Sequence, residues 1–209
     1  MKKLVVVLII ILCFIATASA QVRFGVKAGG NLSFLYTSGS NQGINADQYN
    51  GRFGYHFGGM LEYSLSEMFS IQPELMYLNH GANLKKENSF GMKDGQITLN
   101  TLQLPINLKA KFNLGQSDSK LFVYGGPYVG YNMYGKVAGK IDGVKVDNKL
   151  YAKDSNMKRF DYGFGIGVGI EMKKFVLTLG NQYGANDISG SEKGKMRAGH
   201  VSLSAGYFF

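Results

Sequence analysis

The sequence has very little cysteine, proline and histidine, and it has no tryptophan. Its one cysteine, Cys13, lies in an apolar N-terminal stretch, so the rest of the chain has no disulfide, thiol nucleophile or cysteine metal ligand. The histidines, His56, His80 and His200, lack the spacing of a metal site. Beyond residue 20, no apolar run is long enough for a spanning helix, and no long segment has helical periodicity. These absences exclude helical membrane proteins and disulfide-stapled domains.

The N-terminus has the pattern of an export signal. Two lysines precede an apolar run at residues 4–15, and Ala18-Ser19-Ala20 matches a small-residue cleavage site. The run is short for a spanning helix. We therefore predict that residues 1–20 are a cleaved signal peptide and that residues 21–209 form one domain. An exported basic chain rarely meets nucleic acid, so we expect no nucleic-acid partner.

The rest of the chain alternates apolar and polar residues with period two, which is typical of strands with one apolar face. In "FDYGFGIGVGIEM" (160–172), aromatic and aliphatic residues occupy one face, and glycine or charged residues occupy the other. The same pattern predicts eight strands, near residues 22–34, 52–65, 68–80, 101–112, 120–134, 160–172, 175–184 and 197–209. Short and long connections alternate between them. We predict an all-β fold, an eight-stranded antiparallel up-and-down transmembrane β-barrel with short periplasmic turns and long outer loops.

Aromatic residues on the apolar face favour a membrane barrel over a soluble one. They form two belts that flank an aliphatic band, as expected at two lipid–water interfaces. The belt near the short turns contains Phe24, Tyr63, Phe69, Phe112, Phe175, Tyr207 and Phe209. The belt near the long loops contains Phe53, Tyr55, Tyr77, Tyr131, Tyr162 and Tyr183.

The opposite face carries charged residues that a barrel in lipid must place in its lumen. They are Lys27, Glu62, Glu74, Lys109, Lys111 and Glu171. Opposite charges there can pair with one another. We predict a structural plug of ion pairs, with a proton or ion path as the alternative.

An eight-stranded barrel has an interior that side chains just fill, so luminal glycines should make room for larger neighbours. The glycines are Gly163, Gly165, Gly167 and Gly169, and the predicted neighbours are Tyr124, Tyr128 and Met60. Prolines cannot donate to a β-ladder, so a bulge or local break is expected at each proline inside a strand. These are Pro73, Pro105 and Pro127.

The chain closes with "HVSLSAGYFF", an alternating strand that ends on an aromatic residue. In a closed barrel the last strand pairs with the first, and no edge remains. The ending resembles the C-terminal signal read by the outer-membrane assembly machinery. The matching residues are Val201, Leu203, Ala205, Tyr207 and Phe209.

His200 and Ser202 share one face of this strand, and their H-x-S pattern resembles that of outer-membrane lipid A deacylases. A triad also needs a group that orients the histidine, and no carboxylate follows Ser202. We predict that the pair is not catalytic. Asp161 and Asp187, toward the same end of the barrel, are the conceivable third groups.

Segments along nearly the whole chain resemble the PorT-like family of outer-membrane β-barrel proteins. They include "FGVKAGGNLS" (24–33), "LQLPINLKAKF" (102–112), "YGGPYVGY" (124–131) and the closing "GYFF". The resemblance implies an outer-membrane location and a barrel architecture. PorT itself belongs to a secretion apparatus for cell-surface proteins, and no motif here carries that role over.

The long segment 135–159 is strongly basic. Its cationic residues are Lys136, Lys140, Lys145, Lys149, Lys153, Lys158 and Arg159. They are candidate contacts to lipopolysaccharide phosphates or to an acidic partner, and a solvated loop is the alternative. Asp142-Gly143 favours a type I′ hairpin that extends the barrel above the membrane.

These patterns together predict an integral outer-membrane protein that is not an enzyme and needs no cofactor. Its expected role is structural or surface-interaction, through the long extracellular loops. A narrow channel or small-ligand transport barrel, as an accessory of a secretion apparatus, is the alternative. Expected partners are outer-membrane lipids and lipopolysaccharide, the assembly machinery, and a surface protein or glycan.

Overall fold

The computed structural model describes residues 21–38, 49–84, 93–115, 118–141, 144–151, 158–188 and 195–209. The predicted signal peptide lies outside these residues. The described strands are β1 Val22–Ser38, β2 Tyr49–Ser64, β3 Phe69–Leu84, β4 Lys93–Asn113, β5 Ser119–Ile141, β6 Val144–Lys149, β7 Phe160–Met172, β8 Phe175–Gly184 and β9 Lys195–Phe208. Within the described ranges, no helix is long and apolar enough to cross a membrane.

Eight of the strands close into a barrel. Each pairs antiparallel with its neighbour in the order β1, β2, β3, β4, β5, β7, β8 and β9, and β9 returns to β1. Gly25 lies opposite Phe208, so the last strand seals against the first along most of its length. The predicted eight-stranded up-and-down barrel is therefore confirmed. No edge in the barrel wall is left to pair with another chain.

The outer face of the barrel is apolar and the inner face is polar. Phe53 is 77% exposed and Leu203 is 66% exposed, whereas luminal Glu62 and Lys109 are fully buried. The residues of the two predicted aromatic belts lie on the outer face. Such an exposed apolar band is matched to hydrocarbon rather than to water.

The strands extend further on the long-loop side than predicted. β5 continues ten residues beyond Tyr131, to Ile141, and there it pairs with β4 on one edge and β6 on the other. The pairing of Ile141 with Val144 agrees with the predicted hairpin, whose two turn residues lie outside the described part. A sheet that includes β4, β5 and β6 therefore extends beyond the barrel rim.

A β-bulge at Met133 lies at the base of this sheet. Asn100 pairs with Tyr134 and Thr101 pairs with Asn132, so Met133 is one extra residue in β5. Below the bulge, even-numbered residues such as Asn132 face the lumen. Above it, odd-numbered residues such as Val137 pack inward. The extra residue therefore exchanges the two faces of the strand.

Luminal glycines of β7 lie opposite aromatic residues of β5. Tyr128 faces Gly163, Tyr124 faces Gly167 and Phe122 faces Gly169. A Cβ at Gly163 would meet the Tyr128 ring at 2.8 Å. A Cβ at Gly167 would overlap the Tyr124 ring, and one at Gly169 would overlap the Phe122 ring. The prediction was right for both tyrosines and wrong for Met60. Met60 fills the space over two different glycines, Gly25 and Gly206, because β2 lies beside β1.

The prolines interrupt pairing without shifting it. The β3–β4 ladder has a gap between Pro73 and Met76. The β4–β5 ladder has a gap between Pro105 and Leu108, and Pro127 lies on the β5 side of that gap. Register is the same on both sides of each gap. A local break is therefore present at each, and the bulge that was the other expectation is absent at these sites.

Candidate functional site

The half of the lumen near the short turns contains a cluster of buried ion pairs. Glu62 on β2 accepts hydrogen bonds from Lys109 Nζ at 2.6 Å and from Lys111 Nζ at 2.5 Å. Arg23 on β1 donates to Glu62 at 2.5 Å and to Glu171 on β7 at 2.7 Å. Four strands thus converge on two carboxylates, and the cluster ties opposite walls of the barrel together.

A second pair continues the network toward the middle of the membrane. Lys27 pairs with Glu74. Gln72 connects this ion pair to the cluster around Glu62. The amide nitrogen of Gln72 donates to Glu74 Oε1 at 2.6 Å, and its oxygen accepts from Lys109 Nζ at 2.9 Å. Polar groups therefore form one connected chain from Arg23 to Lys27.

The structure places all six predicted luminal charges in this network and adds Arg23. Arg23 shares the luminal face of β1 with Lys27, so its position in the alternation could have identified it. Two aromatic rings also line the cluster. Lys109 Nζ lies 4.2 Å from the Phe122 centroid, and the Arg23 guanidinium lies 4.3 Å from that of Phe208. These rings supply favourable contacts to the buried cations.

A cavity of about 40 Å³ lies above the ion pairs, in the middle of the lumen. Its lining includes His56, His200, Ser202, Ser204 and Tyr124. His56 Nε2 is 2.7 Å from Ser204 Oγ, and His56 Nδ1 has no hydrogen-bond partner. The space suits about two or three water molecules.

Sequence reasoning singled out His200 and Ser202, whereas the described hydrogen bond joins His56 to Ser204. Among the described residues no partner binds His56 Nδ1, where a triad would have its third group. Asp161 accepts a hydrogen bond from Tyr128, and Asp187 accepts one from the backbone of Met196. Among the described residues, no group of three metal-binding side chains occurs.

An apolar cluster fills the end of the lumen near the long loops. It consists of the buried residues Leu35, Ala82, Ile97, Leu99, Ile188, Met196 and Ala198, with Leu84, Val137, Leu150 and Tyr151 packed against them. Ile188 comes from the connection after β8, and its backbone nitrogen donates to Met196 at 2.9 Å. Ion pairs therefore occupy the lumen at one level and apolar side chains occupy it at the other.

The predicted cationic residues of segment 135–159 fall into several environments. Lys140, Lys149 and Lys158 are exposed, and Lys136 forms an ion pair with Asp147 that raises the pKa of Lys136 through their hydrogen bond. The backbone of Lys145 lies on β6. Lys153 lies outside the described residues.

Arg159 has a role within the chain. Its guanidinium donates to the carbonyls of Asn132 and Met133 at 3.3 and 3.2 Å and to that of Tyr151 at 3.1 Å. It also lies 4.8 Å from the Tyr151 ring centroid. Burial raises the pKa of the Tyr151 phenol. Arg159 therefore holds the Met133 bulge and the end of the β6 hairpin together.

A closed antiparallel sheet with an apolar exterior, aromatic belts and a charged lumen defines an integral outer-membrane β-barrel protein. A family model described as "Outer membrane protein beta-barrel domain" matches residues 17–190. The chain belongs to that family and resides in the outer membrane.

Solved structures of similar architecture include three bacterial outer-membrane proteins. Ail of Yersinia pestis is 14% identical, with coverage of 90% of this chain and 99% of its own and a TM-score of 0.43. Neisserial surface protein A is 15% identical, with coverage of 89% and 97% and a TM-score of 0.47. A major outer membrane protein from Thermus thermophilus is 16% identical, with coverage of 90% and 99% and a TM-score of 0.48. Comparison with curated proteins gave no match.

Proposed function

We propose that the protein is a closed, non-enzymatic barrel whose role is structural or surface-interaction, exerted through its extracellular strands and loops. The observation that carries this proposal is the obstruction of the lumen at two levels beneath a sheet that projects outward. The lower obstruction is the Arg23–Glu62–Lys109 network, and the upper one is the apolar cluster around Leu99.

Both obstructions are costly to open. Removing one partner of a buried ion pair typically costs about 3–5 kcal/mol, because a charge is left without compensation. The apolar cluster contains residues from β1, β3, β4 and β9, so opening it would expose apolar surface from several strands at once. These costs support a barrel that is closed at rest.

The extracellular sheet is better suited to presenting a binding surface than to opening and closing a channel. β5 is paired on both edges above the membrane, and the Arg159 contacts fix its base. Binding surfaces are commonly placed on extensions of a rigid scaffold.

A narrow channel is the second candidate. The connected polar groups from Arg23 to Lys27 and the small cavity above them favour it, since a proton or water could use such a chain. The chain ends beneath the apolar cluster. An accessory role in a secretion apparatus rests only on the family resemblance of the sequence.

Planar-bilayer recording separates the two candidates. We expect no conductance steps from the purified wild-type barrel, and regular steps would favour the channel. A photo-crosslinker at Lys149 in intact cells should then capture a surface component. The same probe at Lys120, in the short-turn half, is the matched control, and equal capture at both positions would count against a surface role.

A further inference from the structure

The extracellular sheet has two faces of different chemistry. Lys140 on β5 and Lys145 on β6 occupy directly opposite positions. Two rows nearer the membrane, Lys136 lies opposite Lys149. Directly opposite residues share a face, and so do residues two apart along a strand. One face of the sheet therefore has lysine at four positions, and Asp147 in the intervening row is its one carboxylate among these positions.

The basic face points away from the barrel axis. Val137, on the opposite face, packs against the apolar cluster inside the barrel rim. Ile97 of β4 pairs with Val137 and belongs to that cluster. The lysine positions alternate with these residues, so they lie on the outward face. The bulge at Met133 produces this orientation, because without its extra residue the two faces would be exchanged.

The height of the lysines above the membrane follows from strand geometry. Lys136 is five residues beyond the belt residue Tyr131, and Lys140 is nine residues beyond it. At about 3.3 Å per residue and a tilt of about 40°, these positions lie roughly 13 and 23 Å above the belt. The polar headgroup layer of one leaflet is only about 5–8 Å thick. Lys136 and Lys140 therefore lie above phospholipid headgroups, on the face of the sheet that is turned sideways toward neighbouring molecules of the outer leaflet.

We propose that this outward lysine face binds the phosphate groups of neighbouring lipopolysaccharide molecules. The inference rests on the proposed surface-interaction function and names its partner. Lipopolysaccharide is the outer-leaflet lipid whose anionic groups extend on sugars above the acyl chains. A face with lysine at four positions and aspartate at one has the complementary charge. Its sideways direction favours a membrane neighbour over a protein that arrives from the medium.

The local ion pair contributes to the shape of this face. Lys136 and Asp147 lie on adjacent strands and pair with each other. The pair stabilises the β5–β6 hairpin, and the exposed side chains of Lys140 and Lys149 lie on either side of it. Substituting the lysines outside the pair therefore removes positive charge and keeps the Lys136–Asp147 ion pair.

The test is a titration of fluorescently labelled lipopolysaccharide with the refolded barrel in zwitterionic detergent. The variant K140Q/K145Q/K149Q keeps the Lys136–Asp147 pair. The control K120Q/K173Q/K174Q removes the same charge from the short-turn end of the barrel. Unboiled gel mobility confirms that every variant is folded. A lysine near an anionic surface contributes about fivefold in affinity, so we expect roughly hundredfold weaker binding by the first variant and unchanged binding by the control.

Two further probes identify the source of the anion. Dephosphorylated lipopolysaccharide should bind the wild type about as weakly as intact lipopolysaccharide binds the variant. Soluble heparin should compete poorly. Equal binding of the variant and the wild type, equal binding after dephosphorylation, or a preference for heparin would each overturn the proposal. Conductance by the wild type would instead refute the closed-barrel function and leave this titration unaffected.

Discussion

Glu62 Oε2 lies 2.6 Å from Lys109 Nζ, and both side chains are fully buried inside the barrel. Lys111 and Arg23 share the same carboxylate. One residue of β2 thus holds cations from β1 and β4, and the wall of the barrel cannot relax at Glu62 without leaving three positive charges short of a partner.

Replacing Glu62 by glutamine should strongly destabilise the barrel. The change removes the negative charge and leaves buried cations uncompensated, which costs about 3–5 kcal/mol. Urea unfolding in phospholipid vesicles measures the difference. Glu67→Gln, in an exposed turn, is the control and should cost less than about 0.5 kcal/mol. Equal stability of the two variants would mean that the cluster contributes little.

Adding a methyl group at Gly167 should also destabilise the barrel, since a Cβ there overlaps the Tyr124 ring. We expect Gly167→Ala to cost about 1–3 kcal/mol, as overpacking typically does. Gly59→Ala is the control, because its Cβ would have no neighbour closer than 4.0 Å. Tyr124→Leu should recover part of the loss in Gly167→Ala. Simple additivity of the two changes would contradict this account.

The C-terminal aromatic residues should be required for assembly. Tyr207 packs edge-on against Phe175 at 5.1 Å and against Phe209 at 5.7 Å. Tyr207→Asp puts a charge in the belt, and removal of Phe209 deletes the terminal aromatic, so both should lower the yield of folded protein in the outer membrane. Tyr207→Phe keeps the ring and should assemble normally. Undiminished yield of the first two variants would refute the assembly-signal interpretation.

The barrel should not remove acyl chains from lipid A. The buried His56–Ser204 contact has no third group, and the cavity beside it has room for about two or three waters only. Mass spectrometry of lipid A from cells that express the wild type, Ser202→Ala or Ser204→Ala should therefore give identical spectra. A missing acyl chain with the wild type, restored in either variant, would contradict the proposed non-enzymatic function.

Trypsin added to whole cells should cut segment 135–159 and leave the barrel intact. Lys136 and Lys140 lie on β5, which is paired on both edges, whereas Lys149 ends β6. Cleavage is therefore expected after Lys149 or Lys158 before it occurs within β5. Arg159→Met should speed cleavage by releasing the carbonyls of the bulge. Cleavage only in permeabilised cells would reverse the assigned orientation.

The membrane part of the fold could be predicted because lipid imposes one rule on every strand. One face must be apolar, so alternation alone identified all eight barrel strands. Above the membrane both faces of a strand can be polar, and the rule no longer applies. The extensions of β4 and β5 were therefore missed, and so was the apolar cluster that closes the rim.

The luminal charges were found by the same alternation, yet their partners were not. Arg23 on β1 meets Glu171 on β7, a strand that is not its neighbour in the sheet. Such contacts cross the interior and depend on the diameter of the barrel and the lengths of the side chains. The role of Phe208 could not be predicted, because the C-terminal assembly signal involves the outward Tyr207 and Phe209. The contact of Phe208 with the Arg23 guanidinium is visible only in the folded barrel.

Because of the bulge at Met133, the direction of the side chains in the upper part of β5 depends on the number of residues in the strand more than on their identity. Losing or gaining one residue between Tyr131 and Gly135 would direct Lys136 and Lys140 into the apolar rim and move Val137 outside, whereas replacing any one lysine leaves its neighbours in place. Related chains should therefore differ here by substitutions, and their insertions and deletions should collect in the connection between β5 and β6, outside the paired strands. A reading-frame-preserving codon deletion in this stretch is thus a far more severe genetic lesion than a missense change.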